Sequence, residues 1–157
     1  MSQATVEIKI FRAEPEHLEV IAPLFNAYRI FYEQPSDPEG AREFIRTRLE
    51  NEDSVIFWAV AAAEGKVIGM GFIQLYPTLS SLSLGRLWLL NDIYVSPEAR
   101  RLGVAKALMQ RARQLATESG AVGLVLNTAV DNLPAQQLYE SLGYQQKEKF
   151  VTYSLNL

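Results

Sequence analysis

The sequence predicts a mixed α/β domain, a single mixed sheet with helices on both faces, and three observations carry that prediction. Segments whose apolar residues recur at helical spacing alternate with short apolar runs of strand length. Two of those runs, Val55–Ala63 and residues 66–76, flank Glu64-Gly65 closely enough to imply an antiparallel hairpin. A third run ends at Val95 and passes through a basic turn straight into an amphipathic helix. The 157 residues suit one domain, 1–157, long enough to bury a core without disulfides or metal.

Taken in order, Val6-Glu7-Ile8-Lys9-Ile10 alternates apolar and charged residues at the two-residue period of a half-exposed strand. From Glu16 onward Leu18, Ile21, Ala22, Phe25, Tyr28 and Tyr32 predict a helix that reaches Tyr32, with a strongly aromatic last turn, and stops near Pro35. Ser36-Asp37-Pro38-Glu39 is a start signal with Asp37 as cap, and Phe44, Ile45 and Leu49 mark the buried face of a second helix. After the hairpin, residues 77–85 read as a Ser- and Leu-rich loop and residues 86–95 as the strand before the basic turn. Residues 99–118 read as a helix with Val104, Leu108, Ala112 and Leu115 facing inward and Gly120 as its stop. A strand over 122–128 follows. Asp131 and Asn132 can cap a last helix, and Gly143 suits the left-handed residue past its end. Residues 144–157 are expected to supply two short strands, the last at 151–155.

Composition excludes several functions. The formal net charge is −3, so the chain lacks the basic surplus that drives nucleic-acid binding. Cys is absent, which removes thiol nucleophiles, disulfides and thiolate metal sites, and His17 alone makes no metal cluster. The longest strongly apolar run, Val55–Ala63, falls well short of the roughly 20 residues of a spanning helix, so no membrane association is expected. The first residues lack a secretory signal's basic start and apolar run, which makes the cytoplasm the expected location. Neither a Gly-x-x-x-x-Gly-Lys-Ser/Thr loop nor a Gly-x-Gly-x-x-Gly turn after a first strand occurs.

The segment from Ile93 to Leu108 carries the chemistry. The first turn of a helix has backbone N–H groups without intrahelical partners, and the helix dipole adds positive charge there, so an anion fits. Gly103 lets backbone approach a bulky ligand, Ala105 keeps the next contact small, and Arg100, Arg101 and Lys106 add full charges. This is a site for phosphates.

Position by position, Arg100-x-x-Gly103-x-Ala105 resembles the Arg/Gln-x-x-Gly-x-Gly/Ala signature of the GNAT superfamily of acyl-CoA-dependent N-acyltransferases. A second segment, Asn132-x-x-Ala135-x-x-Leu138-Tyr139-x-x-x-Gly143-Tyr144, resembles the helix that follows in that family, in the same order and at a matching separation. The resemblance extends to the element order of nearly the whole chain, with its strong motifs between Leu90 and Tyr144.

The resemblance implies a GNAT fold whose mostly antiparallel sheet splays between the strand before the phosphate turn and the strand after the long helix, with coenzyme A in the gap. The backbone at Ile93, Tyr94 and Val95 would pair with the pantetheine arm. Amides of Arg101, Leu102, Gly103, Val104, Ala105, Lys106 and Ala107, with Arg100 alongside, would meet the pyrophosphate, and Asn127, Asn132 and Tyr139 would make further cofactor contacts. Acetyl-CoA would give its acetyl group directly to a primary amine of a small molecule or peptide, and a homodimer is the expected assembly.

Tyr139 is the expected proton donor to the departing sulfur, since a phenol titrates near ~10 and a thiol near ~8.5. Without the resemblance it reads as a buried core aromatic. An N–H near Val95 would polarise the thioester carbonyl. Some amine-acetylating members carry Glu-Asp where this chain has Asn91-Asp92, and Asn accepts no proton from an ammonium. Asp92, acting through water, and Glu33 are the remaining carboxylates, either as base or in binding alone. Tyr28, Arg29, Phe31, Tyr32 and Glu33 would overhang the acetyl group, with Asn91 and Asp92 nearby, and aromatic rings with carboxylates suit an amine. Two other readings stand beside this one: a non-catalytic acyl-CoA-binding sensor or interaction module, and an acetyltransferase acting on protein lysines or N-termini.

Overall fold

The computed structural model of the chain describes residues 7–63 and 66–157. The expected start of the first strand at Val6 and the Glu64-Gly65 turn lie outside the described residues. The described residues fall into two compact units, one within 1–127 and one over 128–157.

The first unit is built on a sheet of order β1(Ile8–Arg12), β2(Val55–Ala63), β3(Lys66–Ser80), β4(Gly85–Val95), β5(Gly123–Leu126). The first three pairings are antiparallel and β4 with β5 is parallel, so the sheet is mixed and mostly antiparallel, as expected. Helices α1(Leu18–Phe31) and α2(Pro38–Asn51) precede β2, and α3(Val104–Glu118) joins β4 to β5.

Alternation along β2 divides the core between two faces. Ile56, Trp58 and Val60, with Phe72 opposite Trp58, pack with Leu18, Ile21, Leu24 and Phe25 of α1 and Ala41 and Ile45 of α2. Phe57 points to the other face, where the Arg111 guanidinium of α3 lies 4.3 Å above its ring. Helices therefore cover both faces. The α3 positions expected to face inward, Val104, Leu108, Ala112 and Leu115, are all buried, along with Met109 and Ala116. No helix among the described residues is long and apolar enough to cross a membrane.

Several boundaries differ from expectation for physical reasons. A 3-10 turn, Pro15–His17, precedes α1, which begins at Leu18 rather than Glu16. Asp37 caps α2 as expected, accepting from the Gly40 amide at 2.9 Å. Phe44, by contrast, is exposed at the rim, where it stacks on Phe25 at 5.3 Å, and Ala41 takes the buried place beside Ile45. The expected loop at 77–85 shrinks to a four-residue turn, because β3 continues to Ser80 and pairs with β4 down to Ser80↔Gly85. β2 ends opposite Leu75, so beyond that point β3 has a partner on one side only and Pro77 is tolerated. α3 starts at Val104 rather than residue 99: Pro97–Ala99 forms a 3-10 turn, and Arg101 (φ 65°) and Gly103 (φ 83°) are left-handed, which a right-handed helix cannot incorporate. β5 is shorter than 122–128, since its ladder with β4 runs only from Leu87↔Gly123 to Leu90↔Leu126.

The second unit contains α4(Leu133–Ser141). Asn132 is its cap, accepting from the Ala135 amide at 3.2 Å, and Gly143 (φ 94°) is left-handed just past its end, both as expected. The strands expected over 144–157 are not formed: no residue there belongs to a ladder, and Phe150, Val151, Tyr153 and Leu155 are exposed. A period of two supplies the face of a strand, but a ladder also needs a neighbouring edge to pair with.

Candidate functional site

The feature that organises the site is the unequal length of β4 and β5. β4 pairs with β3 as far as Gly71↔Val95, whereas β5 accompanies it only to Leu90. Among the described residues, no strand neighbours 91–95 on the β5 side. Ser96 donates its N–H to Met70 on β3 at 2.8 Å, so the carbonyl of the same peptide unit, that of Val95, faces the opposite, open side.

Arg100 occupies that position. Its Nε donates to the Val95 carbonyl at 3.2 Å, and its guanidinium carbon lies 5.6 Å from the centre of the Phe31 ring. The sequence placed Arg100 among charges ringing an anion; the structure turns its side chain back onto strand and aromatic helix end. Arg101, Leu102, Gly103 and Lys106 are exposed around the start of α3. Gly103 is the N-cap, so no side chain caps the first-turn amides of Val104, Ala105 and Lys106. Nothing lies within 4 Å of where a Gly103 Cβ would stand, so positive φ, not crowding, favours glycine there. An open strand edge running into an uncapped helix start can pair with a ligand's amides and then hold its phosphates.

On the α1 face the same strand presents Asp92, buried at 4% exposure. Its Oδ2 accepts from Gln74 Nε2 at 2.7 Å and its Oδ1 from Asn91 Nδ2 at 3.0 Å. The Tyr28 phenol of α1 lies near enough to feel the Asp92 carboxylate. Gln74, fully buried, accepts in turn from Ser54 Oγ at 2.8 Å. A bulge aligns these groups: Gln74 opposes Asp92 but Leu75 opposes Leu90, leaving Asn91 unmatched beside Asp92.

Burial raises the Tyr28 phenol far above its ordinary range, and the nearby Asp92 carboxylate adds to the shift. Tyr76 is pushed up to about 12, first by burial, then by the charge of Asp92, with Asp53 adding and Arg48 opposing.

The expected acceptor residues do come together at the end of α1. Tyr28 lies 5.0 Å from Tyr32 and 5.8 Å, edge-on, from Phe72. Phe31 is 5.3 Å from Tyr32 and 6.3 Å from Tyr94. Phe31 and Tyr32 are exposed, and Glu33 (φ 62°) follows them on the surface. Arg29 is tied instead to the loop, its Nη1 donating to the Pro35 carbonyl at 3.1 Å. Gln74, Ser54 and Tyr76 are not among the site residues expected from the sequence. For Gln74 the signal was present: an amide inside the apolar run Phe72-Ile73-Gln74-Leu75 needs a partner.

Asn127 is exposed one residue beyond β5. In the second unit Asn132 spends its side-chain oxygen on capping α4. Tyr139 is buried, with its ring 6.2 Å from that of Tyr144.

Comparison with known proteins bears on this geometry. Residues 21–144 match the model of the Acetyltransferase (GNAT) family. The uncharacterized N-acetyltransferase YhfO of Bacillus subtilis (strain 168) is 45% identical over 150 residues, covering 96% of this chain and 98% of that protein. A probable acetyltransferase of Haemophilus influenzae is 34% identical over 96% of this chain and 99% of its own length. The crystal structure of a probable acetyltransferase superposes with a TM-score of 0.86 at 48% identity, covering 95% of this chain and 97% of that one.

Proposed function

The chain belongs to the GNAT family of acetyltransferases, and we propose that it moves an acetyl group from acetyl-CoA directly onto a primary amine of a small molecule or peptide. The observation that carries this reading is the open edge of β4 ending at the uncapped start of α3. Those parts fit coenzyme A, which has amides along its arm and a diphosphate at its far end.

Ile93, Tyr94 and Val95 would offer backbone groups to the arm. Arg101, Leu102, Gly103, Val104, Ala105, Lys106 and Ala107 would surround the diphosphate, and the resemblance adds Asn127 and Asn132 as further contacts. Acetyl-CoA, when bound, supplies a thioester with an electrophilic carbonyl and a sulfur that leaves as thiolate.

The chain's own residues do the rest. Tyr139 is the residue to which the family resemblance gives the part of proton donor to the sulfur. Tyr28, Phe31, Tyr32 and Glu33 bind the acceptor from α1, and Asn91 and Asp92 bind it from β4. Both oxygens of the buried Asp92 already accept a side-chain hydrogen bond, from Gln74 and Asn91, so its part in removing the acceptor's proton runs through water rather than direct contact. Exposed Val151, Tyr153 and Leu155 supply apolar surface for the expected homodimer, which light scattering tests.

The deciding experiment is thiol release from acetyl-CoA across a panel of primary amines, paired with calorimetry of coenzyme A. Binding followed by turnover with at least one amine is expected. Tight binding without turnover on any amine would sink the enzymatic reading in favour of an acyl-CoA sensor.

A further inference from the structure

Glycine inside a strand weakens it and packs nothing, so it is kept where a bulge forms or where another backbone comes close. Gly69-Met70-Gly71 of β3 meets both conditions. On the β2 side Val60 opposes Gly69 and Ala59 opposes Gly71, which leaves Met70 unmatched as a bulge. On the β4 side Gly71↔Val95 is the end of the ladder, and just past it the Met70 carbonyl accepts the Ser96 N–H at 2.8 Å.

Gly71 is not there for backbone freedom, since its φ is not positive. It is there for room. A Cβ at Gly71 would stand 2.5 Å from the Tyr94 carbonyl oxygen and 3.1 Å from the Val95 Cα, well inside the roughly 3.5 Å of ordinary contact. Both atoms are main chain, so no change of rotamer relieves the overlap. The Tyr94-Val95 peptide would have to move, and moving away from β3 carries it into the open side of β4. Gly69 offers the contrast: its Cβ would meet Val20 Cγ1 at 2.9 Å and Leu24 Cδ1 at 3.3 Å, which are side-chain ends on α1 and not part of β4.

The open edge thus has two causes. β5 stops at Leu126, and the end of β4 lies in against β3 over the place of the missing side chain. We infer that Gly71 is the positioning residue of the donor site: it lets the Tyr94-Val95 peptide seat against β3, which sets the line along which Ile93 and Val95 offer backbone groups to the arm of coenzyme A. This rests on the coenzyme A reading above. Gly71 pairs with the side of β4 opposite the open edge, so it acts through β4 and not on the ligand.

The test uses the full chain with Gly71→Ala and, as its control, Gly69→Ala. Coenzyme A affinity by calorimetry should fall about tenfold in Gly71→Ala and stay within about twofold of wild type in Gly69→Ala, whatever each costs in thermal stability. In turnover the KM for acetyl-CoA should rise by a similar factor with kcat changed less than about threefold, as loss of binding common to ground and transition states predicts. Without any ligand, the Ser96 amide should exchange with solvent about tenfold faster in Gly71→Ala relative to the other amides of the β3–β4 ladder, and keep its place among them in Gly69→Ala. An affinity loss in Gly71→Ala no larger than in Gly69→Ala makes Gly71 a packing residue and overturns the inference. Should Gly71→Ala not fold, Ser96→Pro takes its place: φ −55° at Ser96 suits proline, and the change removes the N–H that ties the end of β4 to Met70. A fall in coenzyme A affinity of at least about fivefold then supports the inference, and a smaller one overturns it. If the wild-type protein binds no coenzyme A, the donor reading falls, yet the Ser96 amide still decides whether Gly71 seats the end of β4, and an unchanged exchange rate refutes that.

Discussion

Along residues 91–95, β4 serves a backbone edge on its β5 side and a side-chain site on its α1 side, and the two are made of different material. The edge consists of peptide groups freed where β5 stops at Leu126, continued by amides at the start of α3. The floor consists of Ser54, Gln74, Asp92 and Tyr28, each from a different segment of the chain. Peptide groups are the same whatever residue carries them, so the edge depends on conformation. The floor depends on particular functional groups at particular registers. Substitutions should therefore act on the two sides by different rules.

The largest effect is expected where the edge's conformation is attacked. Gly103 has φ 83°, and a β-branched residue there strains the turn that aims the first amides of α3. Gly103→Val should weaken coenzyme A binding by about 100-fold, since strain and misaligned amides add. Calorimetry measures it, and acceptor selectivity, the property of the other side, should persist in whatever activity remains.

Next in size is the floor. Asp92→Asn keeps the shape but removes the charge and places an amide where donors already converge. Acceptor KM should rise about tenfold or more, the usual scale for a charge-assisted contact, while coenzyme A affinity holds. The Tyr28 phenol should fall back toward its ordinary range because the negative charge opposing its ionisation has gone; its burial remains and keeps part of the shift. An Asp92→Asn protein with weakened coenzyme A binding would show that the two sides of β4 are not separable.

This division also explains what could be read from the sequence. The edge was legible because its determinants are contiguous: an apolar strand, Arg100-x-x-Gly103-x-Ala105 and an amphipathic helix follow one another within a short segment. The start of α3 was misjudged by several residues because the left-handed backbone at Arg101 leaves no mark in residue type. The floor was half legible. Tyr28 stands out as an aromatic in the last turn of the first helix and Asp92 as a carboxylate in the strand leading to the basic turn, but Ser54 and Gln74 are brought to them by the pairing of β2, β3 and β4 and by a bulge at Gln74/Leu75. Strand register is a long-range property, and no local pattern in Phe72-Ile73-Gln74-Leu75 states which residue will lie opposite. The strands expected after Tyr144 failed for the same reason: alternation was visible, a partner edge was not.

Arg100 tests the boundary between the two sides, because it bonds the Val95 carbonyl and lies over Phe31. If its charge served mainly to attract phosphate, Arg100→Ala would weaken coenzyme A binding strongly. The geometry says otherwise: the substitution removes a donor that competes for the open carbonyl and loses only a partly exposed cation–π contact, each about 1 kcal/mol. The two changes oppose each other, so coenzyme A affinity should move by less than about fivefold in either direction. Acceptor KM should rise modestly, since Phe31 loses its support. A loss of about 100-fold would return Arg100 to the phosphates.

The smallest effect is the sharpest test of a backbone-built edge. Ile93→Val and Val95→Ile change side chains on the open part of β4 without changing a peptide group, a φ preference or the β-branched character that suits a strand. Both residues are only half-buried, so neither substitution opens a large cavity. Coenzyme A affinity should stay within about twofold of wild type for each, because the hydrogen bonds offered are those of the main chain. A tenfold loss in either variant, with thermal stability retained, would mean that side chains and not the open edge recognise the ligand, and the contrast between the two sides of β4 would collapse.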